Sequence, residues 1–209
     1  VIITQELGKG DEEAQERIRA NQLFGMDGIE QVIEACKTDN IQCVEVARQE
    51  IFQDSDSIIA KVVGGDKTRG SCQSAALAYA GNKCGYDVRD FRGGRSCELF
   101  SQSGTLKNIA KAKGVRGFTI RDYDGYTSAK NAIKLMEKDK EYILATGKHA
   151  SVVRLRKTKG VEFLELQSPH ENGFKNLTSK ILKDRFGVKK QHTTYGIKLQ
   201  QESILIDID

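Results

Sequence analysis

The 209-residue chain holds 38% hydrophobic and 30% charged residues and a single proline, a balance that excludes a disordered tail, a collagen-like repeat and a proline-rich linker. Its 33 lysines and arginines face 29 acids, for a formal charge of +4, and no stretch approaches the roughly 18–20 apolar residues of a membrane span. A chain of this length buries about 70% of its unfolded surface, enough for a full core with a recessed site. The basic surplus is dispersed, with acids concentrated over residues 6–56 and bases between Lys107 and Lys190, and there is no tryptophan. A nucleic-acid partner is therefore not expected, nor is a membrane.

The cysteines are Cys36, Cys43, Cys72, Cys84 and Cys97. An odd number without regular spacing argues against a disulfide scaffold, and no pair has metal-ligand spacing, so a reducing compartment and no metal are expected. The chain starts at Val1 without a signal-like stretch and reads as a segment of a longer protein.

In chain order, residues 11–35 read as helical, split near Gly25 and Gly28, with Asp11, Glu12 and Glu13 at the front. Residues 41–52 form another short apolar-periodic stretch, so 1–60 is expected to be a helical N-terminal segment or connector and 61–209 the main domain. Residues 54–57 read as a turn, 58–63 as a short strand or linker end, and 64–71 as a glycine-containing loop. The alanine-rich run Cys72 to Lys83 predicts a helix that stops toward Gly85. Residues 86–91 alternate like a strand, 105–114 suit a helix and 117–123 an extended segment. Residues 127–140 predict an amphipathic helix capped by Thr127 or Ser128.

The clearest β signal follows, in Tyr142–Ala145, His149–Arg156 and Val161–Gln167. The KTKG sequence at 157–160 predicts an antiparallel hairpin between the last two. Residues 177–187 suit a final helix ending at Gly187, and 202–209 a closing strand. Helices first and an antiparallel sheet later make the class α+β.

Chemistry centres on Gly70-Ser71-Cys72, a thiol opening a helix after a glycine loop. The positive end of a helix dipole favours thiolate over thiol, and unpaired first-turn amides are ready for an oxyanion. Among the three histidines, His149 enters a strand behind Gly147, whereas His170 and His192 sit in polar surroundings and read as solvated. A histidine base needs an orienting partner. If the KTKG turn pairs positions whose numbers total about 316, His149 lies opposite Gln167, with Glu165 two residues along on the same face. A register one residue off brings Leu166 and Ser168 round instead. Glu165 would hold the imidazolium by charge, and Gln167 through its amide oxygen. Cys84 and Cys97 read as packing residues.

Gly70-Ser71-Cys72 before a helix, Gly85-Tyr86-Asp87-Val88, Lys148-His149-Ala150 and Glu165-Leu166-Gln167-Ser168 together resemble the papain-like fold. The nearest likeness is to the papain-fold toxin domains of bacterial polymorphic toxins and some phage minor head proteins, over about residues 64–170. The resemblance implies Cys72 as nucleophile, His149 as base, Glu165 in place of the family's aspartate and Gln167 on its glutamine. Leu166 replaces the family's proline, and Asp66 stands where papain-like peptidases carry an oxyanion glutamine. The Gln73 side chain or loop amides would then complete the oxyanion hole.

The expected activity is cysteine-dependent hydrolysis of an amide bond in a protein substrate, as a peptidase or glutamine deamidase, with no cofactor. A toxin would act in the cytoplasm of a producer or target cell and meet a neutralising immunity protein. The rival expectation is a structural or binding module of a phage head or secreted assembly that keeps the scaffold without chemistry. A third is a nucleotide or nucleic-acid enzyme using the Arg92–Arg95 loop.

Overall fold

The computed structural model describes residues 3–6, 41–45, 53–62, 72–83, 103–112, 114–168, 170–190 and 201–209. Two short strands, β1 (Ile3–Glu6) and β2 (Ile41–Glu45), pair antiparallel with each other. The N-terminal segment expected to be helical thus contains a hairpin-like pair. In Ile41–Glu45 the β-branched Ile41 and Val44 suit a ladder, and strand pairing overrode the longer helical period.

The main sheet has six antiparallel strands in the order β3-β8-β4-β5-β6-β7. These are β3 (Gly117–Asp122), β4 (Glu141–Thr146), β5 (His149–Arg156), β6 (Gly160–Glu165), β7 (Gly173–Asn176) and β8 (Gln201–Asp207). Helices α1 (Ser55–Val62), α2 (Cys72–Lys83) and α3 (Ser103–Lys111) cover one face. Helices α4 (Gly125–Ile133) and α5 (Ser179–Asp184) cover the other. The architecture is mixed α+β.

Strand alternation explains the two layers. Ile143, Val152, Leu164 and Ile206 point to the first face, where they meet Ile58, Val62, Leu77, Leu106 and Ile109. Their neighbours Leu144, Val153, Phe163 and Leu205 point to the second face, against Ala129, Ala132, Leu182 and Phe186. Both faces are covered, so the central strands are apolar almost throughout rather than at every second residue. In α2, Ala75 to Ala80 are all within 1% of complete burial. A helix buried all round needs small side chains to let the sheet approach, which the alanine run supplies.

Expectations for two elements are corrected. Residues 58–62 of the stretch 58–63, read as a strand or linker end, belong to α1, which packs Ile58 and Val62 into the first cluster, and Val63 lies outside the described residues. The boundary drawn at residue 60 therefore falls inside a helix. The helix expected over 127–140 spans Gly125–Ile133, and its cap is Asp124, whose carboxylate accepts the Thr127 N–H at 2.6 Å. Thr127 and Ser128 sit inside the first turn. The short strand β7 had no counterpart in the sequence reading, because Gly173–Asn176 carries a glycine and two polar residues and pairs only as an edge.

Candidate active site

Helix α2 begins at Cys72, in agreement with the sequence, and its first turn holds no acid that would oppose a thiolate. Cys72 is half-buried and reduced. The glycine-containing loop at 64–71, the Gly85–Val88 strand, the Arg92–Arg95 loop, Asp66, His192, Cys36, Cys84 and Cys97 lie outside the described residues. His170 is exposed, as expected of a solvated side chain.

His149 is the first residue of β5 and only 8% exposed. The turn before it is tight: Gly147 has φ +60°, and a Cβ there would stand 2.2 Å from the Phe186 carbonyl oxygen. Any side chain at Gly147 would be strained and would clash with backbone. The Lys148 N–H donates to the same Phe186 carbonyl at 2.8 Å. The segment after α5 thereby clamps the β4–β5 turn, and the His149 ring meets the Phe186 ring edge-on, with centroids 4.8 Å apart and planes at 78°.

Of the two hairpin registers the sequence allowed, the structure has the one whose paired positions total 316. Val153 faces Phe163, Arg154 faces Glu162, Leu155 faces Val161 and Arg156 faces Gly160. Past this ladder the Ser151 hydroxyl donates to the Leu164 carbonyl at 2.6 Å. Glu165 and Gln167 are both buried, and the imidazole charge of His149 acts on the Glu165 carboxylate.

Sequence reasoning missed the residue that organises this pair. Arg185 donates from Nε to Glu165 Oε2 at 2.9 Å and from Nη2 to Glu165 Oε1 at 3.0 Å. The same Nη2 reaches Gln167 Oε1 at 3.0 Å, and Glu165 Oε1 also accepts the Gln167 N–H at 2.9 Å. Burial alone would raise the Glu165 carboxyl, but the Arg185 hydrogen bonds, the Gln167 N–H and the positive charges of Arg185 and His149 outweigh it. They hold the group below the ordinary carboxylate range. The usable signal was general: a buried carboxylate requires a cation, yet nothing local singled out Arg185 among the bases of residues 175–190.

A cavity of about 390 Å³ is lined by Cys72, Gln73 and His149 of the predicted site residues, whereas Glu165 and Gln167 are not in its lining. Cys72, Gln73 and Leu106 form one side, and the β4–β5 turn with His149 and Ala150 another; Ile204 and Glu202 of β8 complete it. Cys72 arrives from the α2 face, since it packs against the first cluster. His149 shares its strand parity with Val153 and touches Phe186, both of the second cluster. Gln73, 8% exposed, lies beside the thiol on the same wall.

Glu202 was not anticipated. It sits in a charge cluster with Lys107 at 3.1 Å and Arg121 at 2.9 Å. Burial raises its carboxyl, but hydrogen bonds from Arg121 and Lys107 bring it below its usual range. A second unforeseen feature is a chain of buried hydroxyls that ends at Thr146 on the cavity wall. Ser128 Oγ donates to Ser203 Oγ at 2.5 Å, and Ser203 Oγ lies 2.7 Å from Thr146 Oγ1. Among the described residues no three His, Cys, Asp or Glu side chains cluster as a metal site, and no helix is long and apolar enough to cross a membrane.

No protein-family model matches the chain, and neither a curated protein nor a solved structure does.

Proposed function

We propose that the chain is a papain-like cysteine hydrolase that cleaves an amide bond of a protein substrate, as a peptidase or glutamine deamidase. The observation that carries this reading is a half-buried cysteine at the first residue of a buried helix, sharing one cavity with His149 and Gln73. The helix dipole favours the thiolate, and His149 accepts the Cys72 proton. Sulfur attacks the carbonyl carbon, and the oxyanion is met by first-turn amides and the Gln73 side chain. The C–N bond then breaks as the imidazolium returns its proton to the leaving nitrogen, and water hydrolyses the thioester. Glu165 stays ionised near the imidazole, while Arg185 holds Glu165 and Gln167 in place as a positioning residue. A toxin or effector role, in the cytoplasm of a target or producer cell and opposed by an immunity protein, rests on the family resemblance.

A second reading is favoured by one observation: the imidazole packs on Phe186, and the carboxylate behind it is already satisfied by Arg185. That arrangement also suits a structural or binding module of a phage head or secreted assembly without chemistry. Alkylation by iodoacetamide across pH 5–9 separates the two. The hydrolase requires Cys72 to react at pH 6 at least about tenfold faster than an ordinary thiol of pKa near 8.5, and His149→Ala to abolish that advantage. A Cys72 rate that follows an ordinary thiol titration, unchanged in His149→Ala, would remove the hydrolase and leave the module.

A further inference from the structure

A second cavity, of about 360 Å³, lies along α4 on the face of the sheet opposite α2. Its lining joins Tyr123 and Tyr126 to Lys130, Lys134 and Lys190. The ammonium groups of Lys183, from α5, and Lys190 stand 5.8 and 5.4 Å from the centre of the Tyr126 ring. The Tyr126 hydroxyl lies 2.8 Å from Ser179 Oγ. That contact, with the charges of Lys130, Lys183 and Lys190, holds the phenol below the usual tyrosine range. Tyr123 is 55% exposed beside them.

The positive charge here is not balanced from within. Asp124 is the one acid of the lining, and its buried carboxylate is engaged in capping α4. Lys134 reaches the neutral Asn131 side chain at 3.4 Å, and among the described residues no carboxylate pairs with Lys130, Lys134, Lys183 or Lys190. Along β3 and β8 the pattern is the reverse. There Lys107 and Arg121 share Glu202, and Arg116 and Lys140 share Glu137. Lysines drawn from positions 130, 134, 183 and 190 form a patch only in the folded chain, so a linear scan for a basic stripe does not see it.

We propose that this surface binds a nucleotide unit, with phosphate among the lysines and the base laid on the exposed Tyr123 ring. Unpaired ammonium groups supply the anion site, and tyrosine faces supply a stacking platform that an acidic peptide would leave unused. A mononucleotide and a single strand present the same unit, and the cavity is large enough for one.

Fluorescence anisotropy with a labelled oligothymidylate tests this on the whole chain, with adenosine monophosphate and polyglutamate as competitors. The strand binds, and its affinity falls about 20- to 50-fold between roughly 50 and 200 mM salt, as three or four phosphate contacts require. The double variant Lys130→Glu/Lys190→Glu, at exposed positions and checked for an unchanged melting curve, weakens binding at least tenfold. Tyr123→Ala weakens it several-fold without changing the salt dependence. Displacement by adenosine monophosphate assigns the site to a free nucleotide, and strand binding that resists it assigns the site to a polymer. Absence of binding, full affinity in the double variant, or displacement by polyglutamate as efficient as by unlabelled strand would overturn the proposal.

Discussion

The two ends of α2 are built in opposite ways. At its C-terminal end the Tyr79 hydroxyl donates to Glu141 Oε2 at 3.0 Å, and Lys83 Nζ donates to the same oxygen at 2.9 Å and also pairs with Asp209. Arg154 adds a cation 3.8 Å from the other Glu141 oxygen. Burial and the neighbouring Glu141 charge push the Tyr79 phenol well above its usual range, so it stays a donor. At the N-terminal end Cys72 and Gln73 face a cavity. Glu141 opens β4 and Thr146 closes it, so one strand ties the cluster to the cavity wall. The comparison teaches that a helix pinned by an ionic cluster at one end can present a small, half-buried side chain to a cavity at the other.

The largest expected effect tests the pinned end. Glu141→Ala removes the acceptor that a buried phenol, Lys83 and Arg154 share, and because Ser55, Asp209 and Glu162 remain as partners it should cost about 2–3 kcal/mol rather than the full cost of an unpaired buried charge. Urea unfolding measures it, and a loss under about 0.5 kcal/mol would mean that the cluster anchors nothing. Cys72 alkylation in the still-folded variant sharpens the point: looser anchoring should change the rate, although the substitution lies at the far end of the helix.

Next comes Arg185→Ala, which strips the buried Glu165 and Gln167 of a shared donor. Since the Arg185 side chain is 37% exposed, a loss of about 1–2 kcal/mol is expected rather than the full cost of a buried ion. The pH dependence has a definite sign. The Glu165 carboxyl is depressed in the folded chain, so the stability it contributes is complete above the unfolded value near about 4.3 and is lost as pH falls through the folded one. Removing Arg185 should flatten the decline of stability between about pH 5 and 3. An acid limb identical to that of the parent chain would contradict the assignment.

The smallest effect belongs to the open end. Cys72→Ala trims one half-buried sulfur from a helix start and should change stability by no more than about 1 kcal/mol in thermal or urea unfolding. A loss of 3 kcal/mol would instead make Cys72 a packing residue and erase the contrast between the ends.

Much of the site was legible because it is written in short-range terms. Alanine density announced α2 and its start at Cys72, and the glycine before His149 announced a tight strand entry. Period-two alternation on both sides of KTKG announced the hairpin, and strand pairing chose between the two registers the sequence left open. Where short-range signals competed, the sequence reading went astray. Residues 58–62 have the β-branched content of a strand but are helical, because Ile58 and Val62, one turn apart, both bury in the cluster that holds α2.

By itself, then, the sequence determined the mixed α+β character, the helix that carries the thiol and the existence of the central hairpin, since each follows from the spacing of neighbours along the chain, while the hairpin's register was settled by strand pairing. Only the tertiary structure decided that Arg185 captures Glu165 and Gln167, that Phe186 receives the His149 ring, and that lysines from two helices and a loop gather round Tyr126. The physical reason is that a buried carboxylate demands some cation and a ring some neighbour, while which one arrives is set by how the layers pack, and periodicity along the chain carries no record of that.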